Sequence, residues 1–476
     1  MLALIAAALA VTTVSALWDP DHKLWLPFLG RNAVLGFKGV TVSGLNVQNL
    51  DALAPAQVLA DYYKQGGGAS IPINRPPIPP LTVSMHYLPM EPVGNGDGIY
   101  ASVVHSDRRV AAIARTEWPR GGGAALYDSV IPSTNVVVPL YVKGVAGQQT
   151  HVAIQNSDES NPARATVRLY RSGQSTPAFE KTIDIGAGTS VMFEGTEMPS
   201  PFVGSLAVES TTPVGAVAFV DFENSEKAVY AFEGVPVEQA ADTLYAPLIR
   251  NGFYGTTGIS VVNPGTTQVS VTLDIVGSLF SSGQSNCIAK FTDGPQTIAP
   301  GSSFVFYQGG SGTRLPVGCA GAAKITATGG KVLAIVNDAS GNPAQPTTSA
   351  AYTAISRAQA AKRVALPLYR NQHTGAQLTT GIQAMNVDDI AARVTIRFMI
   401  DGVIVSDAAC GLACSQTIAP GGSYTWYPPM ITAVPRGKVG SAFIESDQLL
   451  AVIVNDASLT GQMDAAIYNG IKADDP

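Results

Sequence analysis

Charge is what this chain most lacks. Charged residues make up only 13% of its 476 positions, and the net charge is −6. Self-repulsion is therefore weak, and side-by-side association meets little electrostatic resistance. No cluster of Lys and Arg offers a stripe for phosphates, which argues against a nucleic-acid partner. Histidine is scarce too: His22, His86, His105, His151 and His373 are the full set, and no two are spaced as a metal-binding pair. A nucleophile elbow, a zinc-protease helix motif, a phosphate-cradling loop and a dinucleotide fingerprint are all missing. A hydrolytic pair of carboxylates needs only proximity in space, but carboxylates that recur in a repeat are better explained as turn formers. The expectation is a non-enzymatic protein with no cofactor. Asn-x-Ser/Thr sequons are lacking as well.

Long apolar runs are nearly missing. Residues 1–16 (MLALIAAALAVTTVSA) are shorter than the roughly 20 residues that span a bilayer. They resemble the apolar part of a signal peptide, with Val14-Ser15-Ala16 as the small-residue cleavage site. The basic start of such a peptide is not there, so a short retained anchor is the competing reading. Export, and a secreted or cell-surface location, is the expectation.

Cysteine is limited to four residues, Cys287 and Cys319 in one stretch and Cys410 and Cys414 in the next. An even pair in each stretch of an exported chain reads as two disulfides. Free thiols or a metal are the alternatives, although no His accompanies them.

What is present is a repeat. Four segments open with a short apolar strand that carries proline: Leu24-Trp25-Leu26-Pro27, Val136-Val137-Val138-Pro139, Leu244-Tyr245-Ala246-Pro247 and Val364-Ala365-Leu366-Pro367. Proline cannot donate to a strand ladder, so these are first or edge strands. Each is followed by an alternating strand that ends in Asn, at Asn49, Asn156, Asn263 and Asn386, where the side chain suits a turn exit. A third alternating strand comes next. In the first copy it is Val58-Leu59-Ala60-Asp61-Tyr62-Tyr63, where alignment with the other copies favours strand over helix.

A turn then follows, as Ile298-Ala299-Pro300-Gly301 and Ile418-Ala419-Pro420-Gly421, with Ile185-Gly186-Ala187-Gly188 in the second copy. In the first copy a stiff run, residues 75–81 (RPPIPPL), stands near its place. Each unit is expected to close with a hairpin, over 98–114, 204–220, 321–336 and 440–454, and a last strand that carries Tyr127, Tyr230, Tyr352 or Tyr468. Seven or eight short strands with frequent turns predict an all-β chain of four tandem immunoglobulin-like antiparallel β-sandwich modules. Their expected bounds are 17–133, 134–242, 243–360 and 361–476, with the first module divergent and carrying the proline-rich insert. Modules of this kind, each adding roughly 30 to 40 Å of strand length, would form a jointed rod.

Two polar clusters stand out at strand exits, Asn337-Asp338 and Asn455-Asp456, with Asp221 in the matching place of the second copy. Such oxygens make Asx-turns, the preferred reading, or contribute to a calcium site. Trp18, Trp25, Trp118 and Trp426 offer rings for sugar stacking, although core packing is the commoner use.

The Leu-Pro-Leu-Tyr opening, the strand ending in Asn, the Ile-Ala-Pro-Gly turn and the Gly-Ser-Ala-Phe start of the closing unit together resemble secreted bacterial cell-surface proteins built from tandem Ig-like domains. That resemblance implies a surface-layer, sheath, fibre or adhesin role. It supplies no catalytic residue. The leading expectation is a self-assembling subunit of an extracellular filament, sheath or surface layer, with self-association into a homopolymer. An adhesin or a stalk that binds glycan or protein is the alternative.

Overall fold

The structure is a computed structural model that describes residues 21–94, 96–278, 287–310, 315–342 and 345–474. The apolar segment 1–16 and Trp18 lie outside the described residues. The described chain is all-β, in four antiparallel sheets that follow one another along the sequence.

The axis of the first sheet is one long strand, Gly98–Trp118, and the same element recurs as Phe202–Phe222 and Lys438–Ser458. The expected hairpin is thus a single strand in three copies. Its two halves do not pair with each other. Residues 98–106 lie between the opening strand, Asp21–Arg31, and Val58–Lys64. Residues 110–118 lie between Val40–Asn49 and Gly123–Asp128. The polar pair Ser106-Asp107, read as a turn, only bends the strand as it passes from one layer to the other, and Asp107 accepts a hydrogen bond from Gln57 N at 2.7 Å. In the third sheet a Gly329-Gly330 pair interrupts this strand, leaving Cys319–Thr328 and Leu333–Asn342. These two still pair with different neighbours.

The proline of each opening strand sits in a bulge. The register slips between Leu26 and Leu29, Ala246 and Ile249, and Leu366 and Tyr369. The residue after proline therefore loses its ladder partners. A tyrosine hydroxyl, which both donates and accepts, replaces them. Tyr468 Oη accepts from Leu368 N at 3.1 Å and donates to Leu368 O at 2.5 Å. Tyr352 treats Leu248 the same way, at 3.2 and 2.6 Å, and Tyr127 bonds both backbone groups of Phe28. In the second sheet the matching position, opposite Ala218, is Phe232. Tyr230 lies two residues earlier and reaches Gln148 Oε1 instead. Its place in the tyrosine series is corrected accordingly.

The strand-end asparagines carry one job in all four sheets. Their side-chain amides donate to the middle turn: Asn49 to Ile78 O and Pro79 O, Asn156 to Ile185 O and Gly186 O, Asn263 to Ile298 O, Asn386 to Ile418 O. The proline-rich run is therefore the middle turn of the first sheet. Leu81 takes φ +60° where Gly188, Gly301 and Gly421 take +67°, +70° and +67°, a left-handed conformation costly for a side chain.

The sheets do not string out as a rod. Each opening strand packs on the sheet that follows: Asp21–Arg31 on Gln148–Asn156, Ser133–Val145 on Thr256–Val262, and Thr243–Asn251 on Leu378–Asn386. The fourth, Ala361–Asn371, packs back on Val40–Asn49 of the first. Head-to-tail contacts of one kind thus close into a pseudo-fourfold ring. The cause is visible in the opening strands, which are apolar on both faces and so need cover on both. Phe219 of the second sheet, for example, lies 4.8 Å from Phe28 and packs edge-on to Trp118 and Tyr127 of the first.

Around the centre, the closing strands Gly123–Asp128, Val229–Glu233, Gln345–Thr353 and Ala466–Asn469 each touch two neighbours. Their last residues form a cycle of hydrogen bonds. Asp128 N donates to Glu233 Oε1 at 2.6 Å, Thr353 Oγ1 to Glu233 Oε2 at 3.0 Å, Asn469 Nδ2 to Thr353 O at 2.7 Å, and Asn469 N to Asp128 Oδ2 at 3.0 Å. Near the start of these strands, the buried Asp464 carboxylate accepts from Val229 N, Ser349 N and Ala465 N, at 2.7 to 2.8 Å, while its own N–H reaches Gly122 O. One residue thereby ties all four sheets.

Candidate functional site

Asp338 and Asp456 lie within strands rather than at turns. Asn337 and Asp338 pair with Gly258 and Thr257 on one side and with Ala351 and Ala350 on the other; Asn455 and Asp456 pair with Gly381 and Thr380, and with Ile467 and Ala466. The Asx-turn reading is corrected on this point. Nor are the carboxylates of Asp338 and Asp456 open to a cation. Asp338 accepts from Arg250 Nη1 at 3.0 Å and Thr257 Oγ1 at 3.2 Å. Asp456 accepts from Arg115 at 2.8 Å and Arg370 at 2.7 Å. Buried carboxylates of this kind require a partner charge, and arginine supplies it. Arg115 belongs to the first sheet and Arg370 to the fourth, so the cluster secures the closing interface of the ring. The matching place in the second sheet, opposite Tyr230, is Val220 rather than Asp221.

The cysteines form two disulfides, Cys287–Cys319 and Cys410–Cys414. They fit an oxidising, extracellular setting. Among the described residues, no helix is long and apolar enough to cross a membrane. Trp118 and Trp426 are core residues, each 1% exposed. Trp25 is half-buried at a junction between sheets, with Lys23 Nζ 5.4 Å from the centre of its ring.

That junction, between the first and second sheets, gathers three ligand-type side chains, the one such group among the described residues. Asp61 comes from the third strand of the first sheet, His105 from the facing half of the long strand, and Glu159 from the loop after Asn156 in the second sheet. Val58–Lys64 pairs Leu59 with His105 and thereby sets Asp61 beside it. His105 Nε2 lies 3.3 Å from Asp61 Oδ2 and 3.3 Å from Glu159 Oε2, and one ligand atom from each residue falls within 4.8 Å of the others. Tyr63 Oη donates to Glu159 Oε2 at 2.7 Å, and Lys23 pairs with the other oxygen, Oε1. Burial alone would raise the Glu159 pKa, but the hydrogen bonds from Lys23 and Tyr63 and the charges of Lys23 and His105 hold it below the usual carboxylate range. Burial, then the bond to Glu159, raises Tyr63. No sequence motif marks this trio, since its members are separated by 44 and 54 positions. The available hint was the repeat, whose closure into a ring sets the loop after one Asn against the opening strand of the sheet before it.

The corresponding junction between the third and fourth sheets is an open cleft with a volume of about 1060 Å³, lined by Tyr245, Phe291, Lys324, Arg357, Asp388 and Asp389 among others. Register equates Tyr245 with Trp25, and Asp274 with Asp61. Asp389, three residues after Asn386, matches Glu159, three after Asn156. Thr326 stands where the first sheet has His105.

No protein-family model matches the chain, and no curated protein does. Among solved structures it is similar to the crystal structure of Thermotoga maritima 1070, at 18% identity and a TM-score of 0.20, over 24% of this chain and 95% of that one. It is also similar to a tetra-tandem repeat from the extending region of a large adhesion protein, at 12% identity and a TM-score of 0.11, over 93% and 97% of the two chains. Trypsin-activated alpha-2-macroglobulin from Escherichia coli aligns at 10% identity and a TM-score of 0.12, over 96% of this chain and 42% of that one.

Proposed function

We propose that this chain is a non-enzymatic extracellular structural protein in which four Ig-like β-sandwich modules close into one rigid ring, and that the ring is the subunit of a cell-surface filament, sheath or layer. The observation that carries this reading is the closure itself. Apolar opening strands that could have joined neighbouring molecules are used up inside the chain, which leaves a stiff block with defined outer faces. Low charge lets such blocks approach one another. Exposed apolar side chains supply contacts: Met90 and Met430 precede the long strands of the first and fourth sheets and Val317 precedes Cys319–Thr328 of the third, and each is more than 70% exposed. Electron microscopy of the natively exported protein tests the proposal. Ordered arrays with a compact repeating unit are expected, and solitary particles at high concentration would sink it.

A binding role is the second reading, favoured by the cleft between the third and fourth sheets. Its mixed charge and the rings of Tyr245 and Phe291 suit a polar ligand such as a glycan. A glycan array separates the readings: selective binding lost in Tyr245→Ala supports an adhesin.

A further inference from the structure

We propose that Asp61, His105 and Glu159 form a binding site for a divalent transition-metal ion of the zinc class, which clips the first sheet to the second. The spacing is the argument. A tetrahedral ion with bonds of about 2.0 to 2.2 Å holds its ligand atoms roughly 3.3 to 3.6 Å apart. His105 Nε2 stands 3.3 Å from an oxygen of each carboxylate. A charge-assisted hydrogen bond would draw nitrogen and oxygen to about 2.7 to 2.9 Å. A ring nitrogen, moreover, has only one proton to give, so even with Tyr63 donating to Glu159 Oε2 one of the two contacts of His105 Nε2 is left without a hydrogen. A shared cation satisfies all three atoms at once.

The surroundings suit that ion. One imidazole and two carboxylates are a donor set that favours zinc and its neighbours over calcium, which takes oxygen alone. Three protein ligands leave a fourth position for water, and the side chain of His105 is 33% exposed, so the ion has a path in. Tyr63 orients Glu159 by donating to the same oxygen that faces His105, as outer-sphere partners of metal ligands do. Lys23 occupies the opposite oxygen and does not block the site. The pseudo-equivalent cleft has Thr326 in place of His105, and among the described residues no second trio of this kind forms. The site is independent of whether the protein assembles.

Isothermal titration of the chelator-treated full-length protein with Zn²⁺ tests the proposal. Wild type is expected to bind one ion through this site and to melt at a higher temperature with it. His105→Ala should weaken binding by about 10- to 100-fold or more, while His373→Ala should leave it unchanged. Should His105→Ala fold poorly, Co²⁺ added to wild-type protein supplies a second readout, a paramagnetic shift of the His105 ring resonances in NMR. Failure of wild type to bind Zn²⁺, full affinity in His105→Ala, or an unshifted His105 ring would each overturn the proposal.

Discussion

Asp128 and Glu233 meet at the centre of the ring, where neither is more than 2% exposed. Glu233 receives two hydrogen bonds, from Asp128 N and Thr353 Oγ1. Asp128 Oδ1 receives none. Burial, then the charge of Glu233, raises Asp128 well above the usual carboxylate range, so Asp128 is the member that holds a proton. A carboxyl group whose pKa is raised by folding stabilises the fold below its unfolded value and loses that contribution as pH climbs through the folded value. Asp128→Asn keeps the shape without the ionisation. Urea unfolding is expected to show little change near pH 3, below the unfolded value of about 3.9, and a gain in stability that grows from there to pH 8. Equal effects at both values would refute the assignment.

His151 gives a second pH-dependent contribution. Burial opposes its charge, but the hydrogen bond to Asp221 and the nearby carboxylate of Glu194 outweigh burial and raise its pKa to about 9. Asp221 in turn accepts from Phe37 N of the first sheet at 2.6 Å, so the pair bridges two sheets. The raised value means that the stabilisation is complete below about pH 6.5, the unfolded value, and is lost as pH rises through about 9. The advantage of wild type over His151→Asn, on the order of 2 to 3 kcal/mol at pH 6, should shrink by pH 10. A pH-independent difference would show that charge plays no part.

At the level of elements, the bulge and its tyrosine form one unit. Tyr468→Phe leaves Leu368 N and O buried without partners and is expected to cost about 1 to 3 kcal/mol in chemical denaturation, whereas Tyr427→Phe, at a half-exposed site, should be near neutral. The parts of this unit were legible in sequence as four prolines and four aromatic strands, because proline breaks a ladder wherever it stands. Which tyrosine belonged to the series was not, because Tyr230 and Phe232 differ by one strand period and share a face. The third strand at 58–64 was readable against its helical look, since three β-branched copies stood beside it. The continuous strands over 98–118, 202–222 and 438–458 were misread as hairpins. Polar residues such as Ser106-Asp107 mark a turn and a layer-crossing bend with the same letters, and only the pairing partners distinguish the two. The junction trio of Asp61, His105 and Glu159 left no local trace at all.

For the whole molecule, the four repeats decide little until the faces they bury are counted. A repeat that buries its core alone leaves an apolar strand on only one side, and tandem copies then hang as beads. Here Leu26, Pro27, Phe28 and Leu29 are buried in succession along one strand, so both faces of the opening strand are covered, one by its own sheet and one by the next. That demand repeats with every copy and is met at the end of the chain only if the fourth sheet returns to the first. The Arg115–Asp456–Arg370 cluster then closes the seam. Small-angle scattering distinguishes ring from rod directly. A single compact body of this length has a radius of gyration of about 23 Å, whereas four modules end to end, roughly 120 to 160 Å long, would give about 35 to 45 Å. The compact value is expected for wild type. Asp456→Ala, which removes the carboxylate that Arg115 and Arg370 share across the seam and leaves Arg115 only Glu117, should open the seam first and shift the value upward. A wild type near 40 Å would mean that the seam does not hold in solution.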